Sequence, residues 1–431
     1  MKQTEINILF NSFSAANTKG LLTSIQEQLR AFPSAAYSVI VNIIFNGSAN
    51  DLENINELIY RYGANANLVN SDSILSLEKK YQGFINEANC LLNTESIQRG
   101  RIQQQIYIIE NYSRFKNTIV WQVDDDMLFN SCNIVSNKLV LNNSLDFFGI
   151  VVQLYENQKN LVDAFVAKSN YTPPVPALLY TLNQLTDILI NKFKSKDVEY
   201  SEDYHDYYFS SIDEGYYNIK LHENENLPSL IKRILNGQPI TRPVLHKQIN
   251  EVGNEPCFLR GGNFIVFNTE MFLNIPHLGF VLNDHEPARR SDMLHSTLAI
   301  DMGYSIVENH QLVLVHNRSF AEYSFEKNIS DYYNDVIGSL ILIRIHKGVD
   351  EINSRLAFHK VHLKKILKLL DEYNLKKEYE HEYNSLIQLS EHINRLNWKE
   401  LEPKFELFLR KYNRIKSHHK HANCNHRLKY A

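Results

Sequence analysis

The chain has 431 residues, 44% hydrophobic and 22% charged, and a formal net charge of -4. That length holds one large domain with a smaller one, or two domains, and carries enough apolar side chains for a full core. The charge lacks the concentrated basic excess of a nucleic-acid binder, so nucleic acid is not expected as a partner.

The cysteines Cys90, Cys132, Cys257 and Cys424 are scattered without CxxC spacing. They favour neither a disulfide framework nor a zinc ribbon and leave a reducing, cytoplasmic compartment as the default. The amino-terminal stretch has no apolar signal core, and no apolar run approaches the roughly eighteen residues of a membrane span.

In chain order, Ile6 to Phe10 reads as a first strand, and Leu21, Leu22, Ile25 and Leu29 mark a helix that ends before Pro33. Tyr37 to Phe45 is a second strand, closed by the turn-rich segment Asn46 to Asp51, with Asp51 as candidate cap of the next helix. Ala66 to Asn70 is a third strand. Strand and helix alternate as in a doubly wound sheet.

A helix from about Ser96 to Phe115 follows, with Ile102, Ile106, Ile109 and Tyr112 on its apolar face. Arg99, Arg101 and the run Gln103 to Gln105 stand near its start. Arginine is the usual bidentate partner of phosphate and glutamine can bond a nucleotide or sugar, although both are also common on a solvated face.

The helix leads into Ile119 to Val123 and then Asp124-Asp125-Asp126. An unbroken apolar run suits a strand covered on both faces, whose ligands bind at its carboxyl end. Alternation along an extended strand would point Asp124 and Asp126 the same way, and two converging carboxylates repel unless a cation or a proton lies between them. Oxygen-only donors favour Mg²⁺ or Mn²⁺, completed by water and phosphate; a solvated acidic turn or a structural calcium site is the plainer alternative.

Asp146 to Leu154 reads as a further strand, Ala177 to Lys196 as a helix, and Glu199 to Tyr217 as an acidic, tyrosine-rich segment that suits either a sugar-binding platform or a surface insertion. Gly261-Gly262-Asn263 opens a strand where glycine permits positive φ or close approach of a ligand. Ser291 is the predicted N-cap of a helix with Asp292 in its first turn, where the dipole alone would favour an acid, and Gly303 ends it. His316 closes a late strand. Helices then run to about residue 416, one bearing Lys360, Lys364, Lys365 and Lys368 on a face that suits solvent, or an anionic membrane as a peripheral contact.

Taken in order, these residues resemble the nucleotide-sugar glycosyltransferases of GT-A type over roughly residues 5 to 320. The resemblance implies an α/β, Rossmann-like GT-A fold with a mixed, mostly parallel sheet over 1–325, elaborated at 155–256, then a helical region at 326–416 and a tail at 417–431. It also implies a nucleoside site at Asn46 and Asp51, a DxD metal site of Asp124 and Asp126 with His316 as a further ligand, and donor contacts from Arg99, Arg101, Asp125, Gly262 and Asn263. Asp292 would be the base of an inverting transfer. Inverting members often carry Glu-Asp where this chain has Ser291-Asp292, which leaves Asp284 and Glu286 as substitutes and a retaining route open. The implied partners are Mn²⁺ or Mg²⁺, a nucleoside-diphosphate sugar, a UDP-sugar first among them, and a carbohydrate or glycolipid acceptor. A sugar nucleotidyltransferase and a non-catalytic carbohydrate-binding protein are the alternatives.

Overall fold

The computed structural model describes residues 3–63, 65–92, 96–135, 138–169, 229, 232, 235, 263–283, 286–316 and 325–422. The expected helix at 177–196, the tyrosine-rich segment, Gly262 and Asp284 lie outside the described residues.

The first half of the fold comprises β1 (Thr4–Ser12), α1 (Ala15–Ala31), β2 (Tyr37–Phe45), α2 (Ala49–Tyr62), β3 (Ala66–Val69), α3 (Ser71–Lys80), α4 (Gln82–Ala88), α5 (Ile97–Glu110), α6 (Tyr112–Phe115) and β4 (Ile119–Val123). There follow β5 (Met127–Leu128), β6 (Ser131–Val135), β7 (Lys138–Asn142), α7 (Phe147–Gln158), β8 (Ala164–Ser169) and β9 (Asn263–Val266). The rest is α8 (Glu270–Asn274), β10 (Val281–Asn283), β11 (Glu286–Pro287), α9 (Ser291–Asp301), β12 (Ile306–His316), α10 (Phe325–His346), α11 (Val349–Glu372), α12 (Glu380–Arg395) and α13 (Trp398–Ala422).

The main sheet has the order β3-β2-β1-β4-β9-β8-β12-β5. β3, β2, β1 and β4 are mutually parallel, β9 runs against β4 and β8, β12 is parallel to β8, and β5 runs against β12. The sheet is therefore mixed and mostly parallel, in a Rossmann-like α/β fold. From β1 the chain steps outward to β2 and β3, then returns to place β4 on the other side of β1. That reversal opens a crevice at the carboxyl ends of β1 and β4, where ligands of such sheets bind.

Side-chain alternation assigns each strand to two cores. Ile6, Ile8 and Phe10 of β1 with Ile119, Trp121 and Val123 of β4 face α1 and α7, whereas Leu9 and Val120 face the core shared by α5, α9 and the C-terminal helices. Gln122 has the parity of Val120, so it turns toward α5. A buried polar seam also crosses the parallel strands: Asn7 donates to Thr118 Oγ1 (3.1 Å), Asn42 to Asn7 Oδ1 (3.1 Å) and Asn67 to Asn42 Oδ1 (3.2 Å). Slipping one strand would break these bonds inside the core, so the seam favours a single register.

Asp146 to Leu154 is not a strand. Phe147, Phe148, Val151, Val152 and Leu154 are the buried positions of α7, a helical spacing, and Asp146 caps it by accepting from Gly149 N at 2.8 Å. A short apolar run looks alike in either state, and here the cap decides it. The long helix expected from Ser96 breaks at Asn111 into α5 and α6.

The C-terminal helices share one core with the sheet, through Phe280 against Phe405 and Phe408, and Tyr412 donates to Asp301 at 2.8 Å. α13 continues to Ala422, past the expected start of a tail at 417. On the basic face, Lys360 donates to the Leu396 carbonyl at 3.2 Å and Lys368 pairs with Glu372 at 3.3 Å. No described helix is long and apolar enough to cross a membrane.

Candidate functional site

Gln122 and Val123 end β4 at the crevice, and the chain turns at once. Met127 N donates to the Asp124 carbonyl at 3.2 Å, so the three aspartates form a turn between β4 and β5 rather than an extension of the strand. All three are partly exposed. Asp124 keeps the parity of Gln122 and meets α5, while Asp125 Oδ2 accepts from Phe13 N at 3.4 Å, tying the turn to the end of β1. β5 pairs with the end of β12, where His316 stands opposite Met127. The backbone of His316 thus lies beside the acidic turn.

α5 is buried on nearly all sides, which is why its polar residues are not a solvated face: Gln98, Arg101, Gln103, Gln104 and Gln105 are each at most 5% exposed. Arg101 is the centre of the site. Its Nη2 donates to Asp124 Oδ1 at 2.9 Å and its Nε to Asp292 Oδ1 at 3.2 Å. Burial opposes the guanidinium charge, yet Asp292 and then Asp124 outweigh it and hold its pKa above the ordinary arginine value. One fork therefore joins the acidic turn to the start of α9. Asp292 Oδ2 accepts no hydrogen bond from the described residues, and its side chain is 17% exposed. One oxygen is fixed and the other is open to a proton.

A chain of amides leads away from Arg101. Gln122 donates to Gln104 at 2.7 Å, Gln104 to Asn11 at 2.7 Å, and Asn11 and Asn46 both donate to Gln103 Oε1 at 2.9 Å. Gln103 donates to Glu78 at 2.9 Å, and Arg99 closes the chain with a bidentate pair to Glu78 at 3.0 and 3.1 Å. Above this end opens a pocket lined by Phe13, Asn46, Ile74, Leu75, Arg99 and Gln103. Phe13 and Leu75 are each 44% exposed at its mouth. Uncharged donors and acceptors, an apolar lip and a neutralised arginine suit a planar polar ring.

Behind Asp292 lie His277 and His295, stacked with ring centroids 3.8 Å apart and both buried. Burial, then His295 and Arg101, hold His277 well below the usual imidazole range, and burial lowers His295 to about 4. Both rings are neutral at pH 7. His277 is placed by α5: its N donates to Gln105 Oε1 at 3.2 Å and its carbonyl accepts from Gln98 at 3.1 Å. Gly279 passes so close to Gln98 that a Cβ there would collide with the amide.

The other residues named from sequence fall elsewhere. Asn263 is fully buried, accepting from Trp121 Nε1 at 2.5 Å and donating to the Leu312 carbonyl at 2.9 Å, which ties β4, β9 and β12 together. Asp51 does not cap α2; Ser48 does, and the two are joined by Ser48 Oγ to Asp51 Oδ2 at 2.6 Å. Ser291 is likewise not the cap of α9, whose N-cap is Arg290. Gly303, at φ +95°, does follow the end of α9. Asn11, Glu78 and His277 were not singled out in the sequence. Glu78 carried a signal, four residues after Ile74 on the buried face of α3, whereas His277 carried none.

Among the described residues, no three His, Cys, Asp or Glu side chains gather as a ligand set. Asp124 and Asp126 offer hard oxygens on one partly exposed turn, a donor set that fits Mg²⁺ or Mn²⁺ when phosphate and water complete the shell.

No family model matches the chain, and no curated protein matches it in sequence. Several solved structures resemble it weakly. The mannosyltransferase PcManGT from Pyrobaculum calidifontis, in complex with GDP-Man and Mn²⁺, is 10% identical over 92% of this chain and 88% of that one, with a TM-score of 0.36. S. aureus TarS with UDP-GlcNAc is 10% identical over 97% and 92%, with a TM-score of 0.34. Glucosyl-3-phosphoglycerate synthase from Mycobacterium tuberculosis, with Mn²⁺, UDP-Glc and phosphoglyceric acid, is 11% identical over 78% and 79%, also at 0.34. Likenesses this weak leave function to the chain's own residues.

Proposed function

We propose that the chain is a metal-dependent glycosyltransferase that moves a sugar from a nucleoside-diphosphate sugar to an acceptor hydroxyl. One observation carries the reading: at the crevice where strand order reverses, Arg101 joins an acidic turn to a carboxylate with an open oxygen. Asp124 and Asp126, with His316 from the neighbouring strand end, would hold Mn²⁺ or Mg²⁺. When bound, the ion neutralises charge on a diphosphate, stabilisation worth several kcal/mol.

The remaining roles belong to side chains. The amide-lined pocket at Asn46, Gln103 and Phe13 receives the nucleoside. Arg101 fixes Asp124 and Asp292 relative to each other, so that donor and base meet in one geometry. Asp292 accepts the acceptor's proton on Oδ2, a contribution of about a hundred- to ten-thousand-fold. A single displacement then inverts the anomeric centre. The tightly paired Asn263 supports the sheet beneath the site.

The test is thermal stability with UDP, GDP, CDP and ADP, each with and without Mn²⁺. A ligand of the folded state at a hundredfold excess over its Kd adds about 2.7 kcal/mol. A shift for one nucleotide that needs the metal, lost in Asp126→Ala without change in the unliganded midpoint, is the expected result. No shift with any nucleotide would turn the reading to a carbohydrate-binding protein. Full turnover without metal would also overturn it.

A further inference from the structure

Asp292 stands in the first turn of a helix that starts in an unusual way. Arg290, the N-cap of α9, has φ +82°, a left-handed conformation that residues other than glycine rarely adopt, and supplies no side-chain cap. Such backbone persists where the surroundings over-determine it, often beside a functional group. Among the described residues, α10 packs against this turn. Asp335, 2% exposed, forms ion pairs with Arg290 Nε at 3.1 Å and Arg289 Nε at 3.4 Å, neither of them aligned as a hydrogen bond. The Arg289 N–H donates to the Asn334 carbonyl at 3.2 Å. Gly338, one turn further along α10, lies so close to the Arg289 carbonyl that a Cβ would collide with it. At the other end of α10, His346 Nε2 meets Thr297 Oγ1 of α9 at 3.2 Å. The start of α9 is thus gripped from one side by Asp335 and from the other by Arg101, which holds Asp292 itself.

We propose that Asp335 is a positioning residue for Asp292: by binding Arg290 and Arg289 it holds the left-handed turn that aims the carboxylate, so sugar transfer depends on the C-terminal helices. The proposal rests on Asp292 being the base of the reaction above. A plain helix-to-helix ion pair would stabilise the chain without bearing on Asp292. The strained turn between the pair and the carboxylate sets the two cases apart, because relaxing it would move the first turn of α9, which carries Asp292. Removing one partner of a buried charge pair is disruptive, so Asp335→Asn is read beside a variant that leaves the charges in place.

The experiment uses the full chain with Asp335→Asn, Asp335→Glu and Gly338→Ala. In Asp335→Asn, turnover falls at least tenfold while the Mn²⁺-dependent melting shift with the bound nucleotide stays within twofold, and amide hydrogens of Ser291–Asp301 exchange at least tenfold faster. Asp335→Glu restores part of the turnover. Combining Asp335→Asn with Asp292→Asn is no slower than Asp292→Asn alone, the non-additivity of residues acting through one group. If Asp335→Asn does not fold, Gly338→Ala carries the same test by pressing on the Arg289 carbonyl. Unchanged turnover, additive losses, or losses that track nucleotide binding would overturn the proposal. Should the parent chain transfer no sugar, the functional reading fails instead, and the exchange of Ser291–Asp301 still decides whether Asp335 places that turn: local acceleration supports it and unchanged exchange overturns it.

Discussion

Arg99 and Arg101 lie two positions apart on α5 and lead to opposite ends of one hydrogen-bonded chain. Two residues of a helix turn through roughly 200°, so neighbours of this spacing cannot share a face. Arg99 ends in Glu78, a partly buried bidentate pair with both charges cancelled, and the pocket above it is lined by amides and apolar groups. Arg101 ends in two carboxylates that are both partly open, at the crevice between β1 and β4. Under the proposed function the difference separates recognition from chemistry: the neutral end suits an uncharged ring, and the charged end suits a cation, a diphosphate and a proton.

The largest effect that would break this division is at Arg101. Arg101→Ala leaves Asp124 and Asp292 to repel each other, with turnover expected to fall about a hundred- to a thousandfold and stability by about 3 kcal/mol. Arg101→Lys keeps the charge but not the fork, so it should recover stability more than turnover. A variant that keeps full turnover would remove Arg101 from the centre of the site. Steady-state kinetics and urea midpoints measure both.

A comparable effect comes from pH. His277 and His295 stay neutral when folded, His295 down to about 4, while the unfolded chain takes up protons below about 6.5. The unfolded state then binds more protons, so stability is complete above about pH 6.5 and lost as pH falls toward 4. At 1.36 kcal/mol per unit, His295 alone accounts for about 3 kcal/mol by pH 4. Urea midpoints from pH 7.5 to 4.5 should show the decline, and His295→Phe should flatten it. Equal slopes in both proteins would place the acid sensitivity elsewhere.

How far the sequence carried this is plain at α5 and β4. The apolar run before Asp124 and the elements β1, α1, β2, α2 and β3 follow from local periodicity, and their alternation implies a mostly parallel sheet, whereas α3 and α4 were not read from it. What was not legible is long-range. Nothing near Gln103 shows that Glu78 and Asn46 complete its hydrogen bonds, and nothing near Arg290 shows that Asp335 holds it left-handed. The polar residues of α5 left a ligand-facing and a solvated reading both open, because single-helix patterning does not count what packs from α3, α8 and α9. Asp146 to Leu154 failed for a local reason: a short apolar run looks alike in strand and helix, and the Asp146 cap that decides it is a single side chain.

At the neutral end the expected effects are smaller. Gln103 is the joint of the amide chain, bonded to Asn11, Asn46 and Glu78. Gln103→Ala should weaken nucleotide binding about tenfold and cost about 1–3 kcal/mol of stability, since it strands buried polar groups. If the pocket serves recognition, KM for the donor rises while kcat at saturation changes little. A fall in kcat with unchanged KM would merge the two ends into one site.

The smallest effect tests where the pocket stops. Asn46 and Asp51 leave β2 together, yet their side chains part: Asn46 bonds Gln103, and Asp51 turns back to Ser48, its N–H donating to Ser48 Oγ at 3.2 Å while its carboxylate accepts from the same hydroxyl. The Asp51 carboxylate thus braces the Ser48 cap of α2, and an acid in the first helical turn is also favoured by the dipole. Asp51→Ala should therefore cost about 0.5–1 kcal/mol in urea, the range of a lost cap. The melting shift with nucleotide and Mn²⁺ should stay within error of the parent, because the carboxylate is engaged away from Gln103. A shift reduced by half with the same small stability loss would mean that Asp51 leaves its cap to meet the donor, and the recognition pocket would then extend along the first turn of α2.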